Sequence, residues 1–248
     1  MKIRIDSAMT ELGIARSRTA AQKIIQEGIV TLNGKTVSKP SEMVDMDFDK
    51  IDILKNPECM KYVGRGGFKL EKAIEAFRID LNNICCLDIG ASTGGFTDCM
   101  LRNGARKVFA VDVGKDQLDI SLRNNPNVIS LEQLDIRDAD KEITESIDFF
   151  GIDVSFISLK HILPELHRFA SDNAIGVALI KPQFENGKKK NGKNGVIRDP
   201  KIHKRIIDDI CEFSSTLGYT EISVIPSPIE GGDGNREFLM FFRIRPEA

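Results

Sequence analysis

The pattern of apolar and polar positions changes character near the end of the first quarter of the chain and again after residue 217. Ile5 to Leu12 and Arg18 to Glu27 carry apolar residues at helical spacing, with Ala21, Ile24 and Ile25 on one face of the second segment. Gly13 and Gly28 stop these two helices, and Ser17 is placed to cap the second. Ile29 to Leu32, Lys35 to Val37 and Ile51 to Leu54 then read as short strands, the first two joined by Asn33-Gly34, a strong hairpin signal. The spacing predicts a small α+β unit over residues 1–58, followed by a linker over 59–67.

From residue 68 onward the rhythm is different. Gly64-Arg65-Gly66-Gly67 precedes an amphipathic helix, Phe68 to Phe77. Apolar runs at Ile84 to Asp88, Val108 to Val113, Val128 to Leu131, Phe149 to Asp153 and Ala174 to Ile180 are expected strands. Helical patterns lie between them near 96–103, 116–123 and 158–169. Strands alternating with helices predict an α/β domain over 68–248, a mostly parallel sheet covered on both faces. The end breaks the alternation: a helix near 201–217, a strand near 220–225 and a last strand, Glu237 to Ile244, fit an antiparallel pair at the sheet edge.

Charge and composition narrow the classes. Thirty-five Lys and Arg stand against thirty-seven Asp and Glu, a net of −2, which excludes a wholly basic nucleic-acid coat but not a local basic patch. No apolar run approaches the roughly 18 residues of a membrane helix, so no membrane partner is expected. The start has no apolar h-region, and no signal peptide is expected. Five cysteines without a CxxC pair suggest reduced thiols in a cytoplasmic protein, with no structural metal.

Two segments concentrate positive charge. Residues 1 to 39 carry seven Lys or Arg and three acids, among them Arg4, Arg16, Arg18 and Lys23 in the helix-turn-helix half. Residues 181 to 205 carry nine basic residues, including Lys188, Lys189 and Lys190, and two acids. A solvated face explains some such clusters; phosphate contact explains them equally well, and the second cluster better.

The chemistry sits at strand ends. The first strand of the larger domain runs into Leu87-Asp88-Ile89-Gly90-Ala91-Ser92-Thr93-Gly94-Gly95-Phe96. A Gly-rich turn between a parallel strand and a helix makes a nucleotide-type cradle. It lacks both the GxGxxG fingerprint and a phosphate-loop Lys-Ser/Thr. Asp88 would repel phosphate and suit a cation such as the sulfonium and amino groups of S-adenosylmethionine. Asp112, beside Val113 at the end of the second strand, is placed for ribose hydroxyls, and Asp135 for an adenine amino group. Glycine turns followed by an acid also serve nicotinamide dinucleotide enzymes. Lys69, in the first turn of a helix where the dipole disfavours a cation, joins Asp153, Lys181 and Glu237 as polar residues at helix and strand termini. Such a group suits methyl transfer to an oxygen. Lys181 would hydrogen-bond the acceptor hydroxyl, or act as base if neutral, while Asp153 positions it and Lys69 and Glu237 complete the network. The stretch Asp153-Val154-Ser155-Phe156 lacks the Pro-Pro-aromatic sequence of amino-directed base methylation.

At these residues the chain resembles the TlyA (hemolysin A) family of ribosomal RNA 2′-O-methyltransferases. The matching stretches are Tyr62 to Leu70, Leu87 to Thr97, Ile152 to Leu159, Ala178 to Glu185, Gly195 to Pro200 and Asn235 to Leu239. It departs from the family pattern at Gly64, where a serine is usual, and at Asp135, where an asparagine is. The resemblance implies a Rossmann-like, FtsJ-type methyltransferase domain behind a ribosomal-protein-like RNA-binding domain. It implies a Lys-Asp-Lys-Glu catalytic tetrad at Lys69, Asp153, Lys181 and Glu237. It further implies S-adenosylmethionine held around Asp88, Gly90, Ala91, Ser92, Gly94, Gly95, Phe96, Asp112, Val113 and Asp135. The acceptor it implies is a cytidine ribose in ribosomal RNA of one or both subunits, contacted through Arg4, Arg16, Arg18, Lys23, Arg65 and Lys188 to Lys190. A non-catalytic RNA-binding assembly protein and a membrane-active haemolysin are the alternatives. The intact cradle and tetrad weigh against the first, and the missing membrane span and pore helix against the second. The oligomeric state stays open.

Overall fold

The computed structural model describes residues 2–15, 18–26, 28, 30–53, 61–187, 195–231 and 234–245. The chain divides into two compact units, Met1–Lys61 and Tyr62–Ala248. The smaller holds β1 (Lys2–Arg4), α1 (Ile5–Glu11), α2 (Arg18–Gln26), β2 (Val30–Leu32), β3 (Lys35–Thr36), β4 (Met43–Asp45) and β5 (Ile51–Ile53). Ile5, Ala8 and Met9 from α1 and Ala21 and Ile25 from α2 meet Val30 and Val44 in one core, which is why the helical spacing was visible. The strands form an antiparallel β3-β2-β5 sheet and an antiparallel β1-β4 pair. The pattern did not predict β1 and β4, each three residues long. Asn33 and Gly34, with φ of 50° and 80°, are the two left-handed residues of the β2–β3 turn. Ser17, its expected capping role included, and the linker positions 59–60 lie outside the described residues.

The larger unit contains α3 (Gly66–Phe77), β6 (Cys85–Ile89), α4 (Gly95–Arg102), β7 (Lys107–Asp112), α5 (Ile120–Arg123), β8 (Val128–Glu132), β9 (Ile147–Ile152), β10 (Ala170–Ile180), α6 (Pro182–Glu185), α7 (Pro200–Thr216), β11 (Thr220–Pro226) and β12 (Phe238–Arg243). Its seven strands run in the order β11-β12-β10-β9-β6-β7-β8. The five from β10 to β8 are parallel to one another, and β12 lies antiparallel between β10 and β11. Alternate residues along each strand feed opposite layers. Leu87, Phe150 and Ile152 pack with Ile206 and Ile210 of α7 on one face. Cys86, Phe149 and Leu179 pack with Leu70 of α3 and Met100 of α4 on the other.

Three elements differ from the pattern's prediction. The segment near 158–169 forms two 3₁₀ turns, 159–161 and 163–168, because Pro164 removes an amide donor and blocks α-helical continuation. The helix expected over 116–123 starts only at Ile120, capped by the Asp119 carboxylate, since Asp116 is left-handed with φ of 51°. β10 begins four residues before Ala174, through polar Ser171, Asp172 and Asn173, with a register shift against β9. Among the described residues, no helix is long and apolar enough to cross a membrane.

Candidate active site

The antiparallel insertion of β12 builds the site. In a parallel sheet, strand carboxyl ends share one edge; β12 runs the other way, so its beginning arrives at that edge too. Ile180 pairs with Phe238, which sets Lys181 at the end of β10 across from Glu237 at the start of β12. Asp153 follows β9, the neighbour of β10 on its other side. Lys69 enters from the first turn of α3.

These four side chains meet. Lys69 Nζ donates to Glu237 Oε2 at 2.7 Å and lies 3.9 Å from Asp153 Oδ2. Lys181 Nζ is 2.6 Å from Asp153 Oδ1 and donates to Ser155 Oγ at 2.8 Å. Lys69, Lys181 and Glu237 are buried. Burial alone would raise the Asp153 carboxyl; the charges of Lys181 and Lys69 outweigh it and hold the group below its ordinary range. The formal charges sum to zero, two cations against two anions, which makes the burial of four ionic groups tolerable. Glu237 also answers the unfavourable place of Lys69 near a helix N-terminus.

The glycine turn lies beside this quartet. Gly90 has φ of 86°, and a Cβ there would stand 2.6 Å from the Asp153 carbonyl oxygen. Only glycine lets the end of β6 lie against the backbone of Asp153. A Cβ on Gly95 would meet the backbone nitrogen of Gly67 at 2.8 Å, so α4 and the start of α3 approach through bare backbone. Ala91 and Phe96 are buried in this packing, and Ser92 and Gly94 take left-handed conformations that bend the turn.

The expected acids fall at successive strand ends but differ in their surroundings. Asp88 is fully buried; its Oδ2 accepts from Thr97 N at 2.9 Å and Thr97 Oγ1 at 2.6 Å, while its Oδ1 has no hydrogen-bond partner among the described residues. Burial pushes its carboxyl up to about 7, against the pull of the Thr97 hydrogen bonds. Asp112 accepts from Ser92 N at Oδ2 and from Gly114 N at Oδ1, both at 2.7 Å; Oδ1 also accepts from Gln117 Nε2 at 3.4 Å, and Oδ2 keeps a second lone pair. Val113 beside it is 72% exposed, an apolar face next to a carboxylate. Asp135 caps the 3₁₀ turn 136–141, and both its oxygens are taken by Arg137, at 2.9 and 2.6 Å, an engagement the sequence did not suggest. The Arg137 hydrogen bonds hold its carboxyl below the usual range.

Two residues of the site escaped the sequence reading. Ser155 shares Lys181 with Asp153, and Phe156 stands 91% exposed with φ of 65°, its ring 5.0 Å from that of Phe184. A bulky residue with that backbone is unusual, and such positions gather at functional sites. The one available signal was an aromatic residue three positions beyond a strand-end acid.

Of the expected RNA contacts, Arg4 and Arg18 converge on Asp6 in the smaller unit. Arg4 Nε and Nη2 donate to the Asp6 carboxylate at 3.0 and 2.8 Å, Arg18 Nη2 at 3.4 Å and Gln22 Nε2 at 2.8 Å. Asp6 is fully buried, and Arg4 foremost drives its carboxyl far below the ordinary range. Arg65 is half-buried at the start of α3. Arg16, Lys188, Lys189 and Lys190, and the side chain of Lys23, lie outside the described residues.

Comparison with known proteins agrees with this geometry. A family model described as FtsJ-like methyltransferase matches residues 62–244, and one described as S4 domain matches residues 3–49. A Bacillus subtilis protein provisionally named rRNA methyltransferase YqxC is 43% identical over 241 residues, 96% of this chain and 85% of its own. The 16S/23S rRNA (cytidine-2′-O)-methyltransferase TlyA of Mycobacterium tuberculosis is 39% identical over 247 residues, 99% of this chain and 91% of its own. Among solved structures, a protein from Streptococcus thermophilus provisionally named a hemolysin superposes with a TM-score of 0.77 at 39% identity, covering 100% of this chain and 90% of that one.

Proposed function

The chain belongs to the FtsJ-like methyltransferase family, and we propose that it transfers a methyl group from S-adenosylmethionine to the ribose 2′-oxygen of a cytidine in ribosomal RNA. The observation that carries the reading is the buried, charge-balanced quartet of Lys69, Asp153, Lys181 and Glu237 set against the glycine turn.

The residues around that turn fit the donor. The donor set is acidic, and Asp88 holds a buried carboxylate oxygen with no hydrogen-bond partner among the described residues, so it suits a ligand bearing cationic groups and hydroxyls rather than phosphate. Gly90, Ala91, Ser92, Gly94, Gly95 and Phe96 would form the floor. Asp112 would receive the ribose hydroxyls, and Val113 would lie against the adenine. An adenine amino group would meet Asp135 as a carboxylate already neutralised by Arg137. When bound, S-adenosylmethionine supplies an electrophilic methyl group on a sulfonium.

The chain's own residues then have to ready a weak nucleophile. Lys181, paired with ionised Asp153, acts as a hydrogen-bond donor to the 2′-oxygen and stabilises its developing negative charge. Lys69 helps keep Asp153 ionised, and Glu237 holds Lys69 in place. Burial of the quartet strengthens each of these interactions by excluding water. Phe156, exposed beside Asp153, offers a face on which the base of the target nucleotide stacks.

Ribosomal RNA is the acceptor on three supports: the names of the relatives, the match of the smaller unit to the S4 domain, and the basic residues gathered in residues 1–39 and 181–205. Incubation of the purified protein with methyl-labelled donor and separated ribosomal subunits, followed by mapping of the modified ribose, tests the reading. Wild type labels a cytidine 2′-oxygen in one or both subunits; Lys181→Ala binds the donor within about twofold of wild type yet loses methyl transfer by about 100-fold or more. Unimpaired transfer by Lys181→Ala, or label on a base, would overturn it.

A further inference from the structure

We infer that Ser155 is a positioning residue for Lys181, fixing which of the three ammonium protons faces the acceptor hydroxyl. The inference rests on the role given to Lys181 above and adds a residue to it.

A lysine ammonium has three donors and no acceptor, and it rotates freely about its last bond unless its neighbours prevent it. A single carboxylate partner does not stop that rotation. At Lys181 there are two partners of different kinds: Asp153 Oδ1 at 2.6 Å and Ser155 Oγ at 2.8 Å. The hydrogen bond to Ser155 Oγ fixes the direction of one N–H bond, while Asp153 Oδ1, an ion-pair contact without hydrogen-bond alignment, draws the ammonium by its charge. Rotation about the last bond is thereby restricted by Ser155, and a remaining N–H is left to face a substrate oxygen. With Asp153 alone, the ammonium keeps its charge and its pairing but not its aim.

Ser155 is itself held to the purpose. The segment that follows β9 is tied down on both sides. Asp153 N donates to Ile89 O at 2.9 Å at one end. At the other, Ser158 Oγ and Leu159 N donate to the carboxylate of Glu185, in the short helix that starts directly after Lys181. Glu185 thus couples the loop carrying Asp153 and Ser155 to the one carrying Lys181. Between the two anchors the backbone takes the left-handed conformation at Phe156, unfavourable for an aromatic residue and sustained only where the surroundings impose it. This turn leaves Ser155 Oγ within hydrogen-bond reach of Lys181 and Phe156 in solvent. Ser155 is exposed, so its hydroxyl is not needed to fill the core; the polar contact it makes is with the reacting end of the site.

Measurement of single-turnover methyl transfer, the KM for the ribosomal subunit and the Kd for S-adenosylmethionine in full-length Ser155→Ala, Ser155→Thr and Lys181→Ala tests this. Ser155→Ala should slow transfer about 10- to 100-fold, the scale expected when a catalytic group is misaimed by a fraction of an ångström to an ångström. KM and Kd should stay within about twofold, so that the loss falls on the transfer step. Ser155→Thr keeps the hydroxyl at an exposed position and should restore most of the rate. Wild-type turnover in Ser155→Ala, with Lys181→Ala inactive, would refute the inference and leave the role of Lys181 standing. Full activity in Lys181→Ala would instead remove the reading beneath it. A raised KM with unchanged rate would make Ser155 an RNA contact and equally refute the positioning role. Should Ser155→Ala fail to fold by circular dichroism, Ser155→Cys, with its weak hydrogen-bonding thiol, carries the same expectation of a slow, tightly binding enzyme.

Discussion

Glu237→Gln separates what the quartet does for the fold from what it does for the reaction. The substitution keeps side-chain size and removes one charge. Lys69 Nζ then loses its 2.7 Å ionic partner and keeps only Asp153 at 3.9 Å, which already serves Lys181. Removing one partner of a buried pair costs roughly 3–5 kcal/mol, since the remaining charge stays desolvated. The residual pairing with Asp153 and a neutral hydrogen bond from Lys69 to the new amide oxygen reduce this, so about 2–4 kcal/mol is expected. At about 2–4 °C per kcal/mol for a domain of this size, the melting temperature should fall by roughly 5–15 °C. Both Lys69 and Glu237 are buried, so the loss should change little between low and moderate salt. Urea unfolding and calorimetry on the full chain, with methyl transfer in parallel, give the two readouts. The control is Lys69→Met with Glu237→Leu, which removes both charges; it should recover most of the stability and none of the activity. The reasoning is refuted if Glu237→Gln unfolds within about 0.5 kcal/mol of wild type, or if the double variant is the less stable of the two.

Two further predictions follow from other charges. The Asp88 carboxyl, raised by burial to about 7 in the folded chain, binds its proton more tightly there than when unfolded, so its stabilising contribution is full below about pH 4 and is lost as pH rises through 7. Urea unfolding of Asp88→Asn and wild type between pH 4 and 8 should therefore show the asparagine variant gaining on wild type by up to about 4 kcal/mol as pH rises; a pH-independent difference contradicts the assignment. Replacement of Arg16, Arg18 and Lys23 together by Ala should weaken binding to ribosomal RNA and lower the slope of log affinity against log salt by about 2 to 3, with a fall in melting temperature because Arg18 also donates to buried Asp6. An unaltered slope takes these residues out of the interface.

Much of the larger unit was legible because parallel strands buried on both faces must be apolar nearly throughout. Cys85 to Ile89 and Ile147 to Ile152 stand out for that reason. What hid from the pattern was short or locally polar. β1 and β4 span three residues each, too few for a period to register. The start of β10 carries Ser171, Asp172 and Asn173, residues that ordinarily mark a turn. The antiparallel pair at the edge was expected from β11 and β12, but not which strand lies inward. Phe242 and Leu239 are fully buried, whereas β11 alternates between partial burial and exposure, and only the tertiary structure tells such strands apart.

The site divides along the same line. Lys69, Asp153, Lys181 and Glu237 were suspect one by one, because each is an ionic residue at a terminus where an apolar or neutral one would serve. Their union depends on β12 running against β10, which brings residue 237 to the edge where β9 and β10 end. Ser155 carried no such warning, since a serine in a loop is ordinary in any sequence. Its significance comes from a distance to Lys181 that the left-handed turn at Phe156 sets, together with the anchoring of that turn by Glu185. Asp6 shows the converse limit. The sequence marked Arg4 and Arg18 as basic, but a charge tally counts Asp6 only as one acid among three. Its burial beneath both arginines makes it the group that orients them, so the smaller unit holds two guanidinium groups in place where the sequence showed only an excess of basic residues.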